Sequence, residues 1–329
     1  MKKQIRITRS GFPGVGQWSW INFFRDILSE KYEVIVDSEN PDIIFITNLH
    51  YDENEIDPYT GSKHPKIHEH PNAKKVFISG EVSDGMNYVN AGENWYALGY
   101  QPYKHDRFLR FPTYVLDAFT LHNEGGMFDS PFGWITKKRN YEETIKTKKH
   151  FCSIVQASFN EIRDKIFDEI EKKYYIKSSG PYRPTIKEEE HLNKLKYHDY
   201  SNKEYLGKID GLTYRDKVNF FSDSIFNISV QLTDADYLTQ EKIIHAFAAN
   251  CIPIYHGNRY ILQEGFNPES FVNVFDFENY QDLFERLDQI YTDKNLLKKY
   301  LESPIFVDNK LPIYFDREYV LNFFEKMIE

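Results

Sequence analysis

Glu241 and Lys242 stand side by side at the head of a segment whose apolar residues Ile243, Ile244, Phe247 and Ala248 recur at helical spacing. An acid–base pair delivered to a helix N-terminus suits a ligand with phosphates and hydroxyls. The ammonium and the free backbone N–H groups face anionic oxygens, and the carboxylate faces hydroxyls or a developing positive charge. Arg163 opens a second helix, expected over 161–172, and its forked donors match two phosphate oxygens. Glu81 ends Phe77-Ile-Ser-Gly-Glu81, where a short strand runs out and Gly80 permits a tight turn that exposes the carboxylate. Placed so, it can take a proton from a hydroxyl. Tyr237 precedes the acid–base pair, Asn227 lies inside an apolar run, and Gly180 closes another run after Ser178 and Ser179.

Other polar residues are read as structural. Asp234-Ala235-Asp236 offers two carboxylates, a weak hard-cation site, so no metal is expected. His245 and His256 flank a short apolar run as packing or surface residues, His68 and His70 sit in a polar loop, and Lys217 is a helix-face residue. Gly11, Gly14 and Gly16 lack the dinucleotide spacing and the Lys-Ser/Thr of a P-loop, which leaves a turn with close backbone approach.

The elements that must position these residues alternate. Strands are expected at 4–8, 32–36, 43–47 and 75–78, with a weaker one at 96–98 and a helix at 18–28. A charged stretch at 137–150 reads as a linker, and its basic runs as solvated. A second set follows: strand 151–155, helix 161–172, strand 175–178, a polar insertion at 181–206, helix 214–221, strand 225–230, then the segment from Tyr237 into Cys251-Ile-Pro-Ile-Tyr-His-Gly257. Helices at 280–290 and 317–328 close the chain. Tyr319, Val320, Phe323, Phe324 and Met327 make the last one dock on protein. The rhythm is α/β, with units at 1–136 and 151–310, a linker at 137–150 and the docking helix within 311–329.

The order Tyr-x-Thr, Glu-Lys-Ile-Ile, helix, Ile-Pro-Ile-Tyr-x-Gly resembles the donor-binding signature of the family 10 glycosyltransferases, the α1,3/α1,4-fucosyltransferases, above all the bacterial ones. The likeness runs on through Phe266-Asn-Pro-Glu-Ser-Phe-Val-Asn-Val274 to Asp276-Phe277. It implies a GT-B architecture, two Rossmann-like domains facing across a cleft, with acceptor in the first and GDP-sugar in the second. It implies inverting transfer of L-fucose from GDP-L-fucose, without cofactor or metal, to a glycan acceptor containing N-acetylglucosamine. In those terms Glu81 is the base, with Glu241 near the sugar or ribose. Arg163 and Lys242 hold the diphosphate, while Tyr237, Asn227 and Gly180 stand at family positions around the donor.

Three departures mark this chain. Val82 follows Glu81 where the family commonly has Asn. Val230-Gln231-Leu232 replaces Phe-Glu-Asn, losing a carboxylate, and Gln240 is an extra residue before Glu241. They keep open another GDP-deoxysugar donor, or a non-catalytic glycan- or nucleotide-binding relative.

Bulk properties narrow the rest. Apolar residues at 41% and aromatics at 16% exclude a disordered chain. A net charge of −9 with a pI near 5.7 argues against nucleic acid as a partner. Cys152 and Cys251, each in an apolar run, read as buried free thiols. The first residues start directly as a strand, without signal core or spanning segment. That favours a bacterial cytoplasmic protein, with peripheral contact at the inner membrane, where lipid-linked or lipopolysaccharide glycans are built, left open.

Overall fold

Short apolar runs, rich in Ile, Val and Phe and bounded by polar turns, pair into two parallel sheets. The computed structural model describes residues 2–10, 18–47, 67–80, 82–123, 126–156, 158–180, 183, 214–233 and 235–329. Glu81, Asp234, the glycine loop at 11–16 and almost all of the insertion at 181–206 lie outside them.

The first sheet contains β1 (Lys3–Ser10), β2 (Tyr32–Val36), β3 (Ile43–Thr47), β4 (Lys74–Ile78), β5 (Trp95–Gly99) and β6 (Phe108–Arg110), in the order β2-β1-β3-β4-β5-β6. Every pairing is parallel. β3 is buried along its whole length, as a strand covered on both faces must be. Helix α1 (Trp18–Leu28) turns Phe23, Phe24, Ile27 and Leu28 inward. After α2 (Gly85–Val89) comes α3 (Tyr114–Asn123), buried from Tyr114 to Leu121.

Two short helices, α4 (Gly133–Thr136) and α5 (Tyr141–Thr144), carry the chain across to β7 (His150–Val155). Then follow α6 (Glu161–Glu171), β8 (Ile176–Ser179), α7 (Tyr214–Phe221), β9 (Ser224–Val230), α8 (Glu241–Ala248), β10 (Ile252–His256) and β11 (Val272–Asn273). The second sheet runs β11-β10-β9-β7-β8, again all parallel. Helices α9 (Tyr280–Thr292), α10 (Lys294–Glu302) and α11 (Arg317–Ile328) complete the chain. Cys152 and Cys251 are buried and free, as expected.

The basic run at 137–150 differs from a solvated linker at two cations. Arg139 donates to the Ser303 carbonyl beneath Phe247, and Lys148 donates to the carbonyls of Ser222 at 2.8 Å and Ala249 at 2.9 Å. Both lie where helix and strand ends leave carbonyls without partners, which an ammonium or guanidinium satisfies.

The halves meet over an apolar seam. One buried cluster includes Ile7 and Phe24 of the first sheet layer together with Ile243 and Phe247 of α8. Tyr114 of α3 meets Phe266 edge-on at 5.3 Å. Helix α11 returns to the first half. Phe324 packs on Phe24 at 5.6 Å and Phe45 at 5.8 Å, and Lys31–Glu325 at 2.6 Å ties its rim.

Candidate active site

The carboxyl ends of β7 and β9 point toward the first half, where an open parallel sheet offers its crevice. There a small recess is lined by Val155, Arg163, Lys217, Asn227, Val230, Glu241, Lys242 and His245, among others. Four residues expected at a donor site, Arg163, Asn227, Glu241 and Lys242, thus converge from α6, β9 and α8.

Each is fixed before any ligand arrives. Asn160 caps α6 by accepting from the Arg163 N–H at 3.0 Å, and the guanidinium donates through Nε and Nη2 to the Val230 carbonyl at 3.0 and 2.8 Å. That fork locks the side chain against the end of β9 and leaves Nη1 for another partner. Burial lowers the Arg163 pKa, though not enough to discharge it. Asn227 bridges strands, donating to the Ser153 carbonyl at 3.1 Å and accepting from Ser229 Oγ at 2.8 Å. Lys242 Nζ lies 3.0 Å from Glu241 Oε1. Burial alone would raise the Glu241 carboxyl, but the positive charges of Lys242 and then Lys217 outweigh it and hold it well below the usual carboxylate range. Glu241 is therefore an anion at neutral pH.

Lys217 and His245 read from the sequence as structural, yet both line the recess. Lys217 comes from α7. His245 sits four residues after Glu241, one turn down the same helix face, and that spacing was the available signal. Burial, reinforced by Lys217, pushes the His245 imidazole down to about 3, so it is neutral. Across the seam Asp117 of α3 accepts from Tyr214 Oη at 2.9 Å. Burial and then Glu241 raise its carboxyl well above the usual range.

Tyr237 and Gly180 stand outside this lining. Tyr237 has φ +66, an uncommon backbone state for a tyrosine. Its N–H donates to Asn258 Oδ1 at 2.8 Å, and its ring stacks on Tyr260 at 4.6 Å beneath the Arg110 guanidinium at 5.3 Å. Gly180, at φ +101, lets its turn press on the end of β7, since a Cβ there would sit 2.1 Å from the Gln156 carbonyl oxygen. Asp236 is exposed. His256 is buried, its ring 4.3 Å from that of Phe275.

Gln231, the position of the lost carboxylate, does not line the recess. With its amide oriented to satisfy both ends, it donates to the Leu238 carbonyl at 3.0 Å. Its oxygen accepts from Tyr255 Oη at 3.1 Å and the Gln240 N–H at 2.9 Å. The extra residue, Gln240, is buried, and its Nε2 reaches the Gly80 carbonyl at 3.4 Å. The loop after β4 therefore abuts the head of α8.

Residues 144–303 match the C-terminal part of glycosyltransferase family 10 (fucosyltransferase). That stretch belongs to glycosyltransferase family 10. The family 10 domain carries Arg163, Lys217, Asn227, Glu241, Lys242 and His245, so the whole recess lies inside it. A curated relative, the alpha-(1,3)-fucosyltransferase FucT of Helicobacter pylori, is 26% identical over 337 residues, covering 92% of this chain and 61% of its own length. A putative fucosyltransferase, R654 of Acanthamoeba polyphaga mimivirus, is 30% identical over 97 residues, covering 29% of this chain and 16% of itself. The chain thus spans about three fifths of the bacterial relative's length. Among solved structures, an alpha1,3-fucosyltransferase with GDP-fucose superimposes with a TM-score of 0.68 at 22% identity, covering 100% of this chain and 91% of that one. Its complex with GDP gives 0.67. The fold around the family 10 domain is therefore GT-B, two parallel-sheet units facing across a cleft. Among the described residues no helix is long and apolar enough to cross a membrane.

Proposed function

We propose that this chain is an inverting glycosyltransferase that moves L-fucose from GDP-L-fucose to a hydroxyl of a glycan acceptor. One observation carries the reading. Three cations, Arg163, Lys217 and Lys242, converge with the ionised Glu241 at the carboxyl end of the second sheet, inside the family 10 domain. Diphosphate departure needs that positive charge, and the oxocarbenium-like sugar needs a nearby carboxylate.

The roles follow from these positions. Arg163 and Lys242 take the charge of the departing GDP, Lys217 supports them, and Glu241 faces the sugar. Glu81 lies outside the described residues, but Gly80 beside it touches Gln240 at the head of α8. In the proposed step Glu81 takes the proton of the acceptor hydroxyl. The oxygen bonds to the anomeric carbon on the face opposite the diphosphate, and the anomeric C–O bond to GDP breaks. No metal or cofactor enters the proposal. The acceptor side follows the resemblance: an N-acetylglucosamine-containing glycan, lipid-linked or part of lipopolysaccharide, met from the cytoplasm. Because Gln231 is engaged in the loop before α8 and not in the recess, losing that carboxylate does not by itself favour another GDP-deoxysugar.

The test is GDP release from GDP-fucose, GDP-mannose and other GDP-sugars, with and without lactosamine-type acceptors. Release specific to GDP-fucose and stimulated by acceptor is expected, and Glu81→Gln should abolish turnover while GDP still binds. Release from a different GDP-sugar alone would replace the donor. Binding without release from any donor would make the chain a nucleotide-binding relative.

A further inference from the structure

His245 is 1% exposed, lines the recess, and its Nε2 has no hydrogen-bond partner among the described residues. A buried ring nitrogen left unpaired is costly, and such groups are kept where a ligand completes them. The surroundings say what kind of ligand. From its own helix the imidazole faces Glu241 and Lys242. From α7 it faces Lys217 and Tyr214, whose ring meets it edge-on at 4.4 Å, and Asp117 of α3 lies behind Tyr214. Arg163 of α6 closes the other wall. Among the side chains lining the recess the cations outnumber the one ionised carboxylate, and a further positive charge is unwelcome. An arriving dianion reverses that field.

We propose that His245 is a basic ligand of the diphosphate and takes a proton from solvent as the anion enters, so donor binding is coupled to proton uptake. This rests on the reading of the recess as a diphosphate site. The linkage is physically proportionate. An opposite charge within a few ångströms favours the protonated form by about one to three pH units, and a diphosphate brings two such charges. That suffices to lift an imidazole from about 3 into the range where it is partly charged at neutral pH. Imidazolium then donates to a phosphate oxygen, while the ring stays packed on Tyr214.

The probe is GDP-fucose, because its diphosphate lacks the terminal ionisation near about pH 6 that free GDP would add. Calorimetric titrations of the intact protein at about pH 6.5 in two buffers of different ionisation enthalpy read the protons taken up. A heat that depends on the buffer, with uptake of a fraction of a proton, is expected. Affinity should tighten several-fold from about pH 8 to 6. His245→Asn should flatten both dependences and weaken binding about tenfold at the lower pH. Equal heats in the two buffers, or a slope that survives in His245→Asn, overturn the proposal. The wild-type titration decides even if the variant folds poorly. Failure of GDP-fucose to bind at any pH is a different result, since it removes the donor reading itself and the inference with it.

Discussion

Gln231 and Gly257 define each other. A Cβ on Gly257 would lie 2.4 Å from Gln231 Cδ, inside any van der Waals contact, and Gln231 is buried with both ends of its amide engaged. The pair holds Leu238 and Gln240, and so fixes the approach to Glu241. Gly257→Ala should destabilise the protein by roughly 1–3 kcal/mol, as overpacking does. Adding Gln231→Ala should recover part of that loss, a coupling visible in urea unfolding as non-additivity. If the double variant is no better than the sum of the singles, the two do not constrain one another. At this scale the sequence was informative where a residue type has one chemical use. Arg163, Asn227, Glu241 and Lys242, singled out by type and position along the chain, share one recess. Lys217 and His245 read from the sequence as structural, because a lone Lys on a helix face is ordinarily solvated and a lone His beside an apolar run ordinarily packs. Only the packing of α7 against α8 turns them toward the others.

Among the elements, legibility followed amphipathicity. Helices α1, α7 and α11 run over the expected residues because one apolar stripe stands against a polar remainder. Helix α3 is not legible in the sequence, since it is enclosed on every side from Tyr114 to Leu121, and its Asp117 and Thr120 are buried with the apolar residues instead of marking a solvent face. Helix α10 did carry a signal, in Leu297 and Leu301 after the capping Asp293, whose carboxylate accepts from the N–H groups of Asn295 and Leu296. What its pattern could not convey was the surface that α11 covers. That helix leaves the second half and lays Phe323 and Phe324 on the first, with Phe324 fully buried between Phe24 and Phe45. Phe324→Ala should therefore cost about 3–5 kcal/mol. The loss should appear as a lower urea midpoint with unchanged slope, because α11 is part of the first half's core. A loss under about 1 kcal/mol would mean that α11 is an appendage that leaves the first half intact.

The halves of the whole molecule are joined by polar contacts as well as by the apolar seam, and one of them titrates near neutrality. Glu264, at the end of the short 3-10 turn Ile261–Glu264 between β10 and β11, is 1% exposed and lies 2.5 Å from Arg110 at the end of β6. Burial raises its carboxyl to about 7 in spite of Arg110. The same guanidinium lies over the rings of Tyr237 and Tyr314, so the loop leading to Glu241 feels this junction. Because the folded pKa lies above the unfolded value of 4.5, the folded state holds a proton that the unfolded chain has lost. The associated stability is complete below 4.5 and drains away as the pH rises toward 7, after which the curve is level. Other groups titrate in the same interval, so the informative quantity is the difference between wild type and Glu264→Gln, whose neutral amide cannot ionise. Relative to that variant, wild type should lose roughly 2–3 kcal/mol between about pH 5 and 7.5, at 1.36 kcal/mol per unit. Chemical unfolding at several pH values measures it. Parallel curves for the two proteins would mean that Glu264 ionises freely in the folded state. In that case the Arg110 contact is an ordinary ion pair with no hold on how the halves meet.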